Sequence, residues 1–114
     1  MDTDIIIPIY NAFDFTKKCI ETVIEHTDLT KHTLLLINDK STDQRILPLL
    51  NLFTTEYPSL NITIINNESN QGFVRTVNIG MQHSSRDVVL LNSDTGSRKI
   101  GSLKYKSAHI AKLQ

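Results

Sequence analysis

Carboxamides and carboxylates recur directly after apolar runs in this chain. Asn11 follows the run Ile5 to Ile7 by a short turn, Asn38-Asp39 follows Leu34 to Ile37, Asn66-Asn67 follows Ile62 to Ile65, and Asn92-Ser93-Asp94 follows Val88 to Leu91. Gathered at one place, such side chains offer oxygens to a hard divalent cation and hydrogen-bonding groups to a nucleotide. Mg²⁺ or Mn²⁺ takes oxygen ligands, commonly one or two from protein and the rest from water and phosphates. Asp94 can reach such an ion while Asn92 reaches a sugar hydroxyl or a water. Asp39 can accept from the imide N–H of a pyrimidine or from a ribose hydroxyl. An Asp after a strand also caps helices, so for Asp39 both readings stand; for Asp43, with a helix ahead of it, capping is the better one.

The elements that must bring these residues together are legible in the pattern. Each of the four apolar runs reads as a buried strand, because continuous Val/Ile/Leu stretches suit a parallel sheet covered on both faces. Pro8 should end the first strand, since proline cannot continue a central ladder. A helix capped by Asp14 or Thr16 should run to about His26, a second from Asp43 to Tyr57, and a third from Gln71-Gly72-Phe73 to about His83. Gly80 would let the third approach a neighbour closely. Strands alternating with helices at this spacing mean βαβ units with right-handed crossovers. The fold class expected is therefore α/β, a Rossmann-like three-layer α/β/α arrangement with a mainly parallel sheet of about four strands. A strand order of 3-2-1-4 puts the switch point between strands one and four, where ligands bind at the carboxyl ends.

Length and composition narrow the function. The 114 residues fit one domain with an aliphatic core, at 39% apolar residues, 6% aromatics and no Trp. Formal net charge is zero, against a surface that binds nucleic acid by neutralising phosphates. Up to Asp94, however, twelve acidic residues meet seven basic ones, and after it come Arg98, Lys99, Lys104, Lys106 and Lys112 with no acid. The domain expected is thus 1–95, followed by a basic tail, 96–114, in which Ile100, Leu103, Ser107, Ile110 and Leu113 fall at helical spacing. Cys19, the single cysteine, lies on the stripe Phe15, Cys19, Ile20, Val23, Ile24 and reads as a buried structural thiol. No apolar run nears the roughly 20 residues of a membrane span. The expected location is cytoplasmic, extending to the inner face of a membrane. No Gly-x-Gly-x-x-Gly follows strand one and no P-loop is present.

Four words occur in order: Ile5 to Asn11, with Pro8-Ile9-Tyr10-Asn11 at its end; Ile37-Asn38-Asp39-Lys40-Ser41-Thr42-Asp43; Asn70-Gln71-Gly72-Phe73 with Asn78 and Gly80; and Leu90-Leu91-Asn92-Ser93-Asp94-Thr95. Together they resemble the nucleotide-binding half of the family 2 glycosyltransferases, which have the GT-A fold. The resemblance implies a nucleoside diphosphate sugar (a UDP-, GDP- or dTDP-sugar) as donor. It places Pro8, Tyr10 and Asn11 beside base and ribose, and Asp39 on the base. Asn70 and Gly72 belong to the same binding set; Arg75 can assist at phosphate, with a solvated helix charge as the better reading of it. Asn92-Ser93-Asp94 stands for the Asp-x-Asp motif, whose last carboxylate, Asp94, holds Mn²⁺ or Mg²⁺ on the diphosphate. The sugar then moves to the hydroxyl of an acceptor glycan or lipid-linked sugar.

Two departures accompany the resemblance. Asn92 replaces the first Asp of the motif, a version that occurs in the family. Family members also continue well past this point with the acceptor site and a general base, and residues 96–114 lack the pattern expected there. The expectation is a truncated donor-binding part, inactive alone. The rival reading is a non-catalytic interaction module whose tail docks on a partner or, through faces left uncovered, on a second copy. A receiver domain needs acidic residues where this chain has Asn11 and Asn66-Asn67.

Overall fold

Side-chain alternation along the first strand decides the layers. The computed structural model describes residues 3–85 and 87–91, and residues 104–105 as backbone. They form β1 (Thr3–Ile9), α1 (Phe13–His26), β2 (Thr33–Asn38), α2 (Ile46–Glu56), β3 (Ile62–Asn66), α3 (Phe73–His83), β4 (Asp87–Leu90) and β5 (Lys104–Tyr105). Ile5, Ile7 and Ile9 of β1, with Leu34 and Leu36 of β2, pack against Cys19, Ile20 and Val23 of α1 and Ile46, Leu49, Leu50 and Phe53 of α2. Ile6, Leu35, Ile37, Val88 and Leu90 point the opposite way, beneath Val77 of α3. Burying each such side chain contributes about 1.5–3 kcal/mol against the entropy of ordering it. The result is three layers, with α1 and α2 on one face of the sheet and α3 on the other.

The strand order is β3-β2-β1-β4-β5, so it contains the order 3-2-1-4 that puts a switch point between strands one and four. β1, β2, β3 and β4 are mutually parallel in their pairings, and β5 runs antiparallel to β4. Four differences from the sequence reading have physical causes. First, β1 continues through Pro8, which pairs in register with Ile37 of β2. Ile6 carbonyl accepts from Leu91 N–H, at 2.9 Å, so even-numbered residues of β1 address β4. The missing N–H of Pro8 therefore falls on the β4 side, where the register ends at Ile6↔Leu90. Proline ends one ladder there and leaves the other intact.

Second, β3 is an edge strand, half-buried in place of fully buried. Third, α2 begins at Ile46 and not at Asp43, which puts Pro48 in the first turn, where a helix needs no N–H donor. Asp14 and Thr16 likewise supply no side-chain cap to α1. Fourth, Lys104–Tyr105 is strand where the periodicity predicted helix, paired with Val89 and Val88. The outer edge of β4 carries backbone groups that a strand can satisfy and a helix cannot. The remainder of the tail expectation lies outside the described residues. No helix among the described residues is long and apolar enough to cross a membrane.

Cys19 is buried as expected, and desolvation pushes its thiol up to about 11. Phe15, by contrast, is exposed. Gly80 sits where α3 meets the sheet. A Cβ there would lie 2.7 Å from Ile37 Cδ1 and 2.9 Å from Ile6 Cδ1. We expect Gly80→Val to lower stability by about 1–3 kcal/mol through overpacking, read as a shifted urea midpoint. Gly80→Ala should regain part of its own loss when combined with Ile37→Val, which deletes the nearest methyl.

Candidate functional site

The carboxyl edge of the sheet is organised around one buried carboxylate. Asp39 directly follows β2, and its N–H donates to the Ile9 carbonyl at 2.7 Å, so the chain still tracks β1 there. The residue is 5% exposed. Oδ1 accepts from Gln71 N–H (2.7 Å) and from Asn67 Nδ2 (2.9 Å), and Oδ2 accepts from Gly72 N–H (2.9 Å). A buried charge without partners costs several kcal/mol, and charge-assisted bonds to N–H groups offset that cost. The two backbone donors lie just before α3, the end where N–H groups are orphaned and the dipole is positive. α3 has no side-chain cap at Gly72, whose φ of 86° suits glycine. The carboxylate of Asp39 thus takes a capping role from across the fold. Asn70 Nδ2 adds a bond to the Asp39 carbonyl (3.1 Å), and Asn67 Nδ2 also reaches Thr76 Oγ1 (3.2 Å).

A second network fastens the turn after β1. Asn11 and Ala12 are left-handed, with φ of 56° and 49°. Asn11 N–H donates to Ser41 Oγ (2.9 Å), and its Nδ2 to Thr42 Oγ1 (3.0 Å). Its Oδ1 accepts from the N–H groups of Thr42 (2.8 Å) and Asp43 (2.9 Å). Asp43 in turn pairs with Arg45 at 2.7 Å, and hydrogen bonds from that guanidinium hold its carboxyl down at about 2. The guanidinium of Arg45 lies over the Phe13 ring, 4.3 Å from the centroid. The loops after β1 and β2 are in this way locked together.

Between the β1 turn, the end of β2 and the start of α3 lies a pocket of about 300 Å³, lined by Pro8, Ile9, Tyr10, Asp39, Asn70, Gly72, Phe73 and Thr76. Five residues named from the sequence (Pro8, Tyr10, Asp39, Asn70 and Gly72) meet there. Asn11 holds the frame and is not among the lining residues. Arg75 lines a neighbouring hollow with Gln71, Gly72, Phe73, Val74 and Asn78. Asn92, Ser93 and Asp94 lie outside the described residues. Among the described residues, no cluster of three His, Cys, Asp or Glu side chains is placed to hold a metal. Sequence reasoning placed Asn67 at this edge without a role, and missed Phe73 and Thr76 as pocket residues. The signal for Thr76 was a hydroxyl on the buried face of α3, one residue before Val77 and four before Gly80.

Asp39→Ala leaves two loop N–H groups and a carboxamide without their acceptor. We expect a loss of about 2–3 kcal/mol in urea unfolding, since unsatisfied buried donors carry their full desolvation cost. Amide exchange at Gln71 and Gly72 should quicken in the variant more than at the centre of β1.

Comparison with known proteins agrees with this geometry. Residues 4–95 match the family described as Glycosyl transferase family 2. Over 94 residues the chain is 30% identical to the "Uncharacterized glycosyltransferase YwdF" of Bacillus subtilis (strain 168), covering 82% of this chain and 32% of that protein. The chain therefore spans about a third of the length of that relative. Among solved structures, the mannosyltransferase PcManGT from Pyrobaculum calidifontis in complex with GDP-Man and Mn²⁺ is similar with a TM-score of 0.73 at 19% identity, over 81% of this chain and 27% of that one. GalNAc-T7 with UDP, GalNAc and Mn²⁺ gives 0.71 at 18% identity, over 82% and 18%. S. aureus TarS 1-349 in complex with UDP gives 0.67 at 21% identity, over 82% and 28%. The four-stranded parallel sheet with three helices is the fold of these GT-A glycosyltransferases. With 4–95 of its residues matched, the chain belongs to glycosyl transferase family 2.

Proposed function

We propose that this chain is the donor-binding part of a glycosyltransferase and that its pocket takes the nucleoside end of a UDP-, GDP- or dTDP-sugar. The observation that carries the reading is the meeting of Pro8, Tyr10, Asp39, Asn70 and Gly72 at one pocket on the carboxyl edge. That edge is where open parallel sheets bind ligands. Tyr10 offers a ring to the base. One lone-pair direction remains on the Asp39 carboxylate after its three hydrogen bonds, enough for a single base or ribose donor. Arg75, in the first turn of α3, lines the hollow beside the pocket, which suits a diphosphate leaving the nucleoside site.

Asn92, Ser93 and Asp94 make an all-oxygen donor set, which suits Mn²⁺ or Mg²⁺. In this reading Asp94 would hold the ion, which when bound would supply positive charge beside the diphosphate. Support comes from the neighbours solved with GDP-Man and Mn²⁺ and with UDP and Mn²⁺. The acceptor hydroxyl, on a glycan or a lipid-linked sugar, would be bound by parts of a longer protein.

Titration calorimetry with UDP, GDP and dTDP in the presence of Mn²⁺ tests this. We expect at least one nucleotide to bind with a Kd of about 1 mM, near −4 kcal/mol, and Asp94→Ala to weaken it at least ten-fold. Absence of heat with all three nucleotides, from a chain shown to be folded, would sink the reading. The same preparation should transfer no sugar from any of the three donors. The one carboxylate lining the described pocket is Asp39, and its hydrogen bonds to the α3 loop leave it unsuited to act as a general base. Product detected by mass spectrometry would contradict this.

A further inference from the structure

The pocket has two aromatic rings, Tyr10 and Phe73, and both stand in solvent, at 43% and 46% exposure. Phe73 is the first residue of α3, whose sheet-facing positions are Thr76, Val77 and Gly80. Covering the core therefore does not account for its ring. The backbone just before it is held rigidly, since the N–H groups of Gln71 and Gly72 both donate to Asp39. A large ring is thus fixed at the lip of a pocket whose polar groups are mostly engaged with one another: Asp39 accepts three bonds, and the Asn70 amide donates to the Asp39 carbonyl. Directional readout of a ligand is limited there, while flat apolar surface is plentiful. The ligand feature that matches is the π-face of a nucleobase, and stacking of this kind tolerates every base.

Building on the nucleotide reading above, we propose that Phe73 is a base-stacking residue that clamps the donor nucleobase together with Tyr10, adding affinity for uracil and guanine nucleotides alike. Phe73 borders the neighbouring hollow as well, but a phenyl ring offers a phosphate no hydrogen-bond donor, so the loss of the ring acts through the base. Heteronuclear NMR titration of the 114-residue chain, its Phe73→Ala variant and its Phe73→Tyr variant provides the test. The probes are UDP with Mn²⁺, GDP with Mn²⁺, and inorganic pyrophosphate with Mn²⁺. Phe73→Ala should weaken UDP and GDP roughly ten-fold, within the range measured for base–aromatic stacking. It should leave pyrophosphate unchanged, and Phe73→Tyr should keep the wild-type affinities. Equal nucleotide affinity in wild type and Phe73→Ala overturns the stacking role and leaves the donor-binding reading intact. Parallel loss of pyrophosphate binding overturns it too, because the damage is then to the fold of the site. No nucleotide binding by folded wild type removes the donor-binding reading and this inference with it.

Discussion

One buried carboxylate organises the carboxyl edge of the sheet in this protein. Asp39 leaves β2 at the point where the sheet ends, and its carboxylate must find hydrogen-bond donors or carry the cost of burial. It finds them in the loop that opens α3, some thirty residues further along the chain. The bonds run both ways in effect. The loop supplies N–H groups that would otherwise be orphaned at a helix start, and the carboxylate supplies the acceptor that Gly72 has no side chain to provide. Because α3 packs on one face of the sheet and β2 lies within it, the charge joins two layers at the rim. The pocket wall is a consequence of that junction.

The remaining support is apolar and is divided by the period-two alternation of the central strands. Odd-numbered residues of β1 serve the α1–α2 layer, and even-numbered ones serve α3. Gly80 sets how near α3 can lie, with the methyls of Ile6 and Ile37 occupying the space a side chain would need. Close approach at Gly80 and the bonds at Gly72 act on the same helix eight residues apart, two turns and a little more. Together they leave α3 little freedom to tilt, and its first residue, Phe73, is held in place at the pocket.

Around this frame, the turns after β1 and β2 adopt left-handed conformations at Asn11, Ala12 and Lys40. Such backbone is costly for residues with a Cβ unless neighbouring bonds hold it. Asn11 supplies those bonds, through one backbone and three side-chain contacts to Ser41, Thr42 and Asp43. Asn11, a residue the family resemblance puts beside base and ribose, thus braces the two loops that flank the pocket. The same physics separates Asp43 from Asp39. Asp43 meets a guanidinium in solvent and is a local turn residue, while Asp39 is buried and acts over a long range.

Continuous aliphatic runs, their spacing and the polar residues closing them were enough to determine from sequence the α/β class, the four parallel strands and the gathering of polar residues at their carboxyl ends. Those features follow from local periodicity and from the handedness of βαβ crossovers, which one chain already contains. Of the five pocket residues, Asp39 could be named from its place after an apolar run, while Pro8, Tyr10, Asn70 and Gly72 were named only through the family resemblance. Tertiary structure decided what no local pattern encodes. It decided which strand would be the exposed edge, on which side Pro8 would lack its N–H, and that Lys104–Tyr105 would pair with β4. It also decided that Asp39 would spend its hydrogen bonds on a loop distant in sequence. In each of these cases the outcome depends on which unpaired backbone groups happen to face one another, and that is set only once the layers have assembled.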